Sequence, residues 1–186
     1  MARTTARVLD EYLVVSAQAG DRKALDLLVR RWHGKLVAHA WRLTGDSELA
    51  RDAAQAGWIE IMRGLERLQD ARAFPAWAFR IVSRRCARQI GGAIQRRKLA
   101  EAVGKETPTE ADDVDGDGDG DGDARRLRRA IRALPPEQRS AIALFYFEEL
   151  SVAETAVALN VPAGTVKTRL MHARRKLRDL LEGETP

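Results

Sequence analysis

Apolar residues recur at helical spacing over most of the N-terminal half of the chain, and capping residues stand where helices should begin. After Gly20, Asp21 has the position of an N-cap, and apolar residues follow at mostly helical intervals until Gly45. A second helix is predicted from near Ser47 to about Leu68. A third is predicted from near Pro75, a residue favoured in the first helical turn, to Ile90. No segment of the sequence alternates like a β-strand, so the pattern predicts an all-α fold.

A helix pair with a sharp turn is predicted near the C-terminus, after a helix that opens at Pro135-Pro136 and runs to about Glu148. Ser151 and Glu154 have the spacing of a capping box, in which two side chains satisfy reciprocal backbone donors. The helix that they start ends near Leu159. Asn160 and Pro162 then suit a left-handed turn and a new helix start. Two helices joined by a three-residue turn form the DNA-binding geometry of helix-turn-helix proteins.

The last helix, from Pro162 to about Arg178, has an apolar arc and a basic outer face. At 100° per residue, the arc of Val166, Leu170, Ala173 and Leu177 is expected to face the core. The opposite arc is expected to reach base edges in the major groove, with basic residues beside it at the phosphates. The alternative is a solvated basic helix that merely closes a bundle. The residues predicted to bind the upstream duplex are Gly164, Thr165, Lys167, Thr168, Arg169, Met171, His172 and Arg175.

The size and composition of the chain indicate a division into two parts. With 186 residues, 45% of them apolar, the chain can bury one ordinary core or two small ones. A run of alternating aspartate and glycine up to Asp123 has too little to bury and too much like charge to fold. We therefore predict two small helical domains, at residues 1–92 and 125–186, joined by a flexible acidic linker at residues 93–124.

The charge distribution points towards a polyanionic partner. The net charge is +5, and two stretches, Trp77 to Ala100 and Thr155 to Arg178, contain no acid but many arginines and lysines.

The apolar runs are too short to span a bilayer, and the first residues lack the apolar segment of a signal peptide. The single Cys86 excludes an internal disulfide and a cysteine-based zinc site, which fits a reducing compartment. We therefore expect a cytoplasmic protein with no membrane insertion.

The sequence gives no support for a metal, cofactor or catalytic site. The Asp-Gly run matches the start of a calcium loop, but Arg126 stands at the twelfth position, where a bidentate glutamate is required. His33 and His39 are not at metal-ligand spacing, Cys86 falls on an apolar arc, and no glycine-rich phosphate loop is present. Each of these residues is interpreted as structural, and the protein is not expected to be an enzyme.

Four motifs occur together in one order: Asp52-Ala-Ala-Gln55-Ala-Gly-Trp58, Phe74-Pro-Ala-Trp77-Ala-Phe-Arg-Ile81, Leu134-Pro-Pro-Glu-Gln-Arg139 and Gly164-Thr-Val-Lys-Thr-Arg-Leu170. With them the chain resembles a bacterial sigma factor of the extracytoplasmic-function type, over about Leu9 to Leu181 apart from the linker. The resemblance implies two helical domains, region 2 and region 4. Together they would bind RNA polymerase core, at the coiled coil of its largest subunit and at its flap, and read the minus-ten and minus-thirty-five promoter elements. The family commonly has an anti-sigma factor, for which this sequence shows no site.

The second helix is predicted to carry the polymerase-binding surface. Asp52, Gln55, Ala56, Ile59 and Arg63 share one face, opposite an apolar face. By resemblance, Asp52, Gln55 and Ile59 would dock on the polymerase coiled coil. The family usually has a glutamate where Ala56 stands, so one polar contact is expected to be missing. The alternative for Ile59 is an isolated exposed apolar residue, which is common on protein surfaces.

The third helix is predicted to contact the minus-ten element where the strands open. An aromatic residue beside arginines suits an unstacked base and its phosphates, and by resemblance the loop Gln69 to Ala73 would hold a flipped base. Trp77 and Ile81 could instead lie in the core of a bundle that is covered on both sides. Arginines stand at positions 84 and 88, where the family usually has asparagine and aspartate. The residues assigned to this surface are Trp77, Arg80, Ile81, Arg84, Arg85 and Arg88.

Two other classes of protein are compatible with a helical DNA-binding chain. One is a helix-turn-helix regulator that never touches polymerase, which would not need the face of Asp52, Gln55 and Ile59. The other is a nucleic-acid-processing enzyme, which would turn over nucleotide or cleave its substrate without polymerase. For the acidic linker, we expect its carboxylates to lie in the polymerase channel that later holds RNA, because negative charge can occupy a surface built for phosphates.

Overall fold

The computed structural model describes residues 5–102 and 122–182, and every regular element in these two ranges is helical. The long helices are joined by short turns, two of them single 3₁₀ turns at Leu65–Arg67 and Ala71–Ala73. A π-helical turn, Ala143–Phe147, continues the sixth helix. The helices are α1 Thr5–Gln18, α2 Arg22–Thr44, α3 Ser47–Gly64, α4 Phe74–Ala102, α5 Gly122–Arg132, α6 Pro136–Ile142, α7 Val152–Leu159 and α8 Ala163–Glu182. The predicted all-α fold is confirmed.

The capping residues lie at the helix ends that the sequence indicates. Asp21 is the N-cap of α2 and accepts hydrogen bonds from two backbone N–H groups, while Gly45 ends that helix with φ 72°. Ser151 and Glu154 form the predicted capping box of α7. Asn160 closes α7 in the left-handed conformation, with φ 55° and ψ 48°. These four short-range predictions are confirmed.

Helix α4 is longer than predicted. It does not end at Ile90 but continues through Gly91 and Gly92 to Ala102, so the predicted boundary between residues 92 and 93 falls inside a helix. Each glycine costs about 1 kcal/mol relative to alanine in a helix interior. The residues after the glycines are mostly strong helix formers (Gln, Arg, Lys, Leu, Ala and Glu), and they carry the helix past the weak point. Residues 103–121, which contain most of the acidic run and the rejected calcium motif, lie outside the described ranges.

The N-terminal helices α1 to α4 enclose one apolar core. Phe74 and Phe79, both at most 1% exposed, lie at its centre with Leu28 and Ile61. Trp32 meets Phe74 edge-to-face, with the ring centroids 5.2 Å apart. Arg31 of α2 bonds the buried carboxylate of Asp10 on α1 at 2.8 Å, so the first helix is held by charge as well as by packing.

The C-terminal helices have a small core of their own, built around α6 and α8. Leu134 and Ile142 pack there against the inner face of α8. Leu144, Leu150 and Ala158 do not belong to it, because they pack into the core of the N-terminal helices. The two halves are therefore joined by shared apolar packing, with α7 lying against α4. Within the described residues, none of the helices is long and apolar enough to cross a membrane.

Candidate nucleic-acid interface

The position of α8 follows from the turn before it. The Ser151 and Glu154 side chains satisfy the first backbone donors of α7, and Asn160 turns the chain within three residues. Val166, Leu170 and Ala173 are then buried, at 0%, 4% and 0% exposure, and Leu177 packs beside them. The predicted core arc is thus the arc that faces inward, and the opposite side of α8 faces solvent.

The outer face of α8 displays the residues predicted to reach base edges. Gly164, Thr168, Met171, His172 and Arg175 are all exposed, Met171 at 54%. Thr168 donates its hydroxyl to the Gly164 carbonyl at 3.1 Å, which holds the side chain close to the helix backbone. With no Cβ, Gly164 lets another molecule approach that backbone closely. The face therefore combines small, apolar and hydrogen-bonding groups over about three turns.

Two basic residues of α8 differ in how freely they can meet a phosphate. Lys167 is exposed, as predicted. Arg169 is engaged, because it bonds Glu137 at the start of α6 at 2.9 Å, and its side chain is only 20% exposed. Both residues of this pair, together with Thr165, line a groove of about 600 Å³ between α6 and α8. A phosphate at Arg169 would have to share the guanidinium with Glu137 or displace that carboxylate.

The predicted polymerase-binding face of α3 is open to solvent. Asp52 and Gln55 are exposed, Ile59 is 44% exposed, and Ala56 between them is half-buried. Met62, which we did not predict, is 48% exposed one turn beyond Ile59. The face therefore offers two polar side chains followed by an apolar pair. Ile59 is not an isolated exposed residue, because Met62 extends the apolar surface along the helix.

The arginine surface of α4 is only partly available, and one member of the predicted set is not on it. Ile81 is 4% exposed and packs in the N-terminal core, so its assignment to DNA contact is wrong for this conformation. Trp77 is half-buried against that core, with its ring 2.9 Å from where a Cβ on Gly64 would lie. Arg80 and Arg88 are exposed, as predicted. The alternative interpretation, core packing, is correct for Ile81 and in part for Trp77.

Glu60 of α3 is a charged neighbour of the predicted DNA-binding arginines that the sequence analysis missed. Its carboxylate pairs with Arg84 and, at 2.7 Å, with Arg85, both on the facing side of α4. Burial alone would raise the pKa of Glu60, but the hydrogen bonds and charges of the two arginines outweigh burial and lower the pKa. The sequence shows that Glu60 is an acid on the helix before an acid-free stretch, but only the packing of α3 against α4 identifies its partners.

Several residues considered for chemistry are structural in their surroundings. Burial raises the pKa of the Cys86 thiol to about 12, so it is not a reactive thiolate. His39 is fully buried and bonds the Ser83 hydroxyl at 2.9 Å. Burial, and then the charge of Arg42, lower the pKa of His39 to about 3. In the ranges 5–102 and 122–182, no group of three or more metal-binding side chains comes together.

Comparison with known proteins finds two family models, each matching one part of the chain. A model of sigma-70 region 2 matches residues 28–94, and a model of sigma-70 region 4 matches residues 124–177. The ECF RNA polymerase sigma factor SigM of Mycobacterium tuberculosis is 34% identical over 92% of this chain and 84% of its own length. SigW of Bacillus subtilis, of the same description, is 30% identical over 90% of this chain and 94% of its own length. Among solved structures, the sigma factor RpoE of Bartonella quintana, in complex with the anti-sigma factor NepR, shares the fold. Its TM-score is 0.72 at 21% identity, over 88% of this chain and 99% of that one.

Proposed function

The chain belongs to the extracytoplasmic-function sigma factors of bacterial RNA polymerase. From this premise we propose which of its surfaces bind polymerase and which bind promoter DNA. As a sigma factor, it binds polymerase core and directs promoter-specific transcription initiation. The observation that carries the proposal is that α8 is amphipathic. Its apolar arc is buried, while the opposite face is exposed to solvent. The residue roles below are the proposal.

The outer face of α8 reads the upstream promoter element in the major groove. Residues near the N-terminal end of a recognition helix lie closest to the base edges, which favours Gly164, Thr165 and Thr168 for that role. Met171 and His172 stand one turn further along the same face. Arg175 lies on this face one turn after Met171. Lys167 meets a phosphate and fixes the register, whereas Arg169 exchanges Glu137 for a phosphate.

The exposed face of α3 docks on the coiled coil of the largest polymerase subunit. Asp52 and Gln55 supply polar contacts, and Ile59 with Met62 supplies the apolar part of the interface. The half-buried Ala56 lies inside this surface without contributing a polar group. A second contact, between region 4 and the polymerase flap, belongs to the same proposal.

The arginines of α4 bind the minus-ten element and favour its single-stranded state. Arg80, Arg84, Arg85 and Arg88 provide charge along one side of the helix, and the exposed edge of Trp77 offers a partial stacking surface. Melting would follow from differential binding, because the separated strand makes contacts that the duplex cannot make. We infer no catalysis of the chain's own, a cytoplasmic location, and regulation by an anti-sigma factor.

Core binding tests the assignment of α3. Purified chain and core polymerase are mixed, and capture is compared between the wild type and Asp52→Ala/Gln55→Ala. A matched control is Glu48→Ala/Arg51→Ala on the first turns of the same helix. We expect the first pair to lose most binding and the second to retain it. If the wild type does not bind core at all, the whole functional assignment fails. If both pairs bind equally, only the assignment of α3 fails.

A further inference from the structure

A cavity of about 310 Å³ lies beside α5, near the C-terminal end of α2 and away from the faces of α3, α4 and α8 described above. Trp41 of α2 and Phe147 of the π-helical turn supply two aromatic walls. Leu127 and Ile131 of α5 supply an aliphatic wall. A cavity of this size that is lined mainly by apolar and aromatic side chains is typical of a small-molecule site.

The walls of this cavity include large apolar side chains that the fold leaves open to solvent. Phe147 is 43% exposed and Leu127 is 40% exposed. Single exposed apolar residues are common on protein surfaces, but these two meet at one concave site together with the half-buried Trp41. A ligand that covered them would remove apolar surface from water, which is the main favourable contribution to binding in such a site.

Three arginines, Arg42, Arg128 and Arg132, give the cavity its charge, and none of the described residues that line it is acidic. The Arg132 guanidinium lies 5.0 Å from the centre of the Trp41 ring, and the Arg42 guanidinium lies 4.5 Å from the centre of the Phe147 ring. Each aromatic wall therefore has a cation beside it. The cavity thus combines flat apolar surface with positive charge, which suits a ligand that is both apolar and anionic.

The three arginines are not equally available to a ligand. Arg42 bonds Glu148 at 2.5 Å, and the Glu148 side chain is only 6% exposed, so this charge is already matched by a carboxylate. Arg128 is half-buried and forms no hydrogen bond or ion pair within residues 5–102 and 122–182. A guanidinium presents paired N–H donors that match the two oxygens of a carboxylate. Arg128 is therefore the donor that an anionic ligand would meet.

We propose that this cavity binds an aromatic carboxylate of about 10 to 15 non-hydrogen atoms, with its ring system against Trp41, Leu127 and Phe147 and its carboxylate at Arg128. A neutral ligand would leave Arg128 unmatched, and a cation would be repelled by the arginines that line the site. An aliphatic chain would forgo stacking on the two aromatic walls. The site uses none of the residues assigned above to polymerase or DNA, so the inference goes beyond the proposed function.

Calorimetric titration of the free full-length chain tests the class of ligand. The probe is 2-naphthoate, and 2-naphthamide offers the same ring system without the charge. We expect a Kd of about 0.1 mM for 2-naphthoate, and at least about tenfold weaker binding of 2-naphthamide and of the aliphatic decanoate. The Tm should rise by about 3 °C at a tenfold excess of 2-naphthoate over its Kd. Equal affinity for either comparison compound, or no binding of 2-naphthoate, overturns the proposal.

Substitution of Arg128 tests the role of the guanidinium. Arg128→Met should weaken binding of 2-naphthoate at least about tenfold and leave binding of 2-naphthamide unchanged, because only the charged group is lost. Arg128→Lys, which keeps the charge without the paired donors, should bind with intermediate affinity. The matched control is Arg129→Met, since Arg129 is exposed on the same helix and does not line the cavity. Equal losses in the two methionine variants would mean that only the overall charge of α5 matters, which overturns the site.

The location of the bound probe is tested by the indole N–H signals of the tryptophans in a nitrogen-15 correlation spectrum, with Trp41→Phe to identify the signal of Trp41. We expect 2-naphthoate to shift the signal of Trp41 and to leave that of Trp58, in the N-terminal core, in place. Saturable binding without a shift at Trp41 overturns the site. Binding that appears only after the acidic run at residues 115–121 is changed from Asp to Asn would assign the cavity to the chain's own carboxylates, and also overturns the proposal.

Discussion

The carboxylate of Glu60 on α3 bonds the guanidinium of Arg84 on α4, across the contact between the helix proposed to dock on polymerase and the helix proposed to bind the minus-ten element. Glu60 also bonds Arg85, so one acid is shared between two arginines. The pairing orients both guanidinium groups and neutralises part of their charge. The net attraction of this surface for phosphate is therefore weaker than a count of its arginines indicates.

Removing the Glu60 charge should strengthen DNA binding. In Glu60→Gln, Arg84 and Arg85 keep a neutral neighbour but gain one uncompensated charge between them. We expect about threefold to tenfold tighter binding of single-stranded minus-ten DNA by the polymerase complex at low salt. The salt dependence should steepen by about 0.7 per added phosphate contact. Fluorescence anisotropy across a salt series measures both, with Glu66→Gln in the exposed 3₁₀ turn as the control. Unchanged affinity and slope would mean that the two arginines do not contact DNA.

Substitutions on the outer face of α8 should have two different effects on DNA binding, loss of base selectivity or uniform loss of affinity. Alanine at Thr168 or His172 should relax selectivity at one position of the upstream element, at a cost of about 1–3 kcal/mol for the preferred base. Alanine at Lys167 should weaken all sequences about equally and reduce the salt slope by about 1. A binding assay on a library of upstream elements distinguishes the two patterns, with Asp179→Asn near the end of α8 as the control. Uniform loss for all three alanine variants would contradict direct base reading.

The apolar end of the α3 face should contribute to core affinity. In Ile59→Asn a polar side chain replaces an exposed apolar one, so folding is little affected while an apolar contact with polymerase is lost. We expect core affinity to fall by about tenfold or more, and DNA binding by the C-terminal domain to stay unchanged. Biolayer interferometry with immobilised core gives the affinity. Leu27→Asn, at 50% exposure on α2, is the matched control. An equal loss in both variants would contradict a specific role for Ile59.

Stability should depend on pH through His39. The pKa of this residue is about 3 in the folded chain, against 6.5 when exposed, so between these values only the unfolded chain takes up the proton. The stability that neutral His39 contributes is complete above pH 6.5 and is lost as pH falls, by about 1.4 kcal/mol for each pH unit. Urea unfolding at pH 6.5 and 5.0 should show this loss in the wild type and a smaller one in His39→Gln. Equal losses would show that His39 becomes protonated while folded.

The contact between α3 and α4 should be sensitive to a single methyl group. A Cβ on Gly57 would lie 2.8 Å from the Cγ2 atom of Val82, a stiff branched side chain at 0% exposure. Gly57→Ala should therefore destabilise the fold by about 1–3 kcal/mol. Gly34→Ala, inside α2 with open space around it, should stabilise by about 0.5–1 kcal/mol. Thermal unfolding compares the two, and stabilisation by both would show that α3 and α4 can move apart without cost.

The features that the sequence predicts correctly depend only on interactions between residues close together in the chain. Asp21, the Ser151 and Glu154 pair, and Asn160 act on backbone groups of their own turn, so their roles can be inferred without knowledge of the tertiary structure. The inward arc of α8 is equally local, because a helical period decides which residues share a side. The end of α4 was misplaced because two glycines mark a helix end only when the residues beyond them do not favour a helix.

The parts that escaped prediction depend on contacts between distant residues. Ile81 and Arg84 occupy the same side of α4 in a helical projection, but only the packing of neighbouring helices decides that Ile81 is covered and Arg84 is not. The partner of Arg84, Glu60, lies 24 positions away, and the partner of Arg169, Glu137, lies 32 positions away. Neither pairing follows from periodicity or composition, because both need the helices to be placed first.

The apolar core that the N-terminal and C-terminal halves share limits which domains of its relatives can replace those of this chain. A chimaera that receives a foreign C-terminal domain inherits that domain's promoter preference, but it loses Leu144, Leu150 and Ala158 as complements to the N-terminal core. It would also lose the carboxylate that Arg42 binds. New specificity could evolve by changes on the outer face of α8 alone, while the inner face of α7 has to be inherited together with α2 and α4.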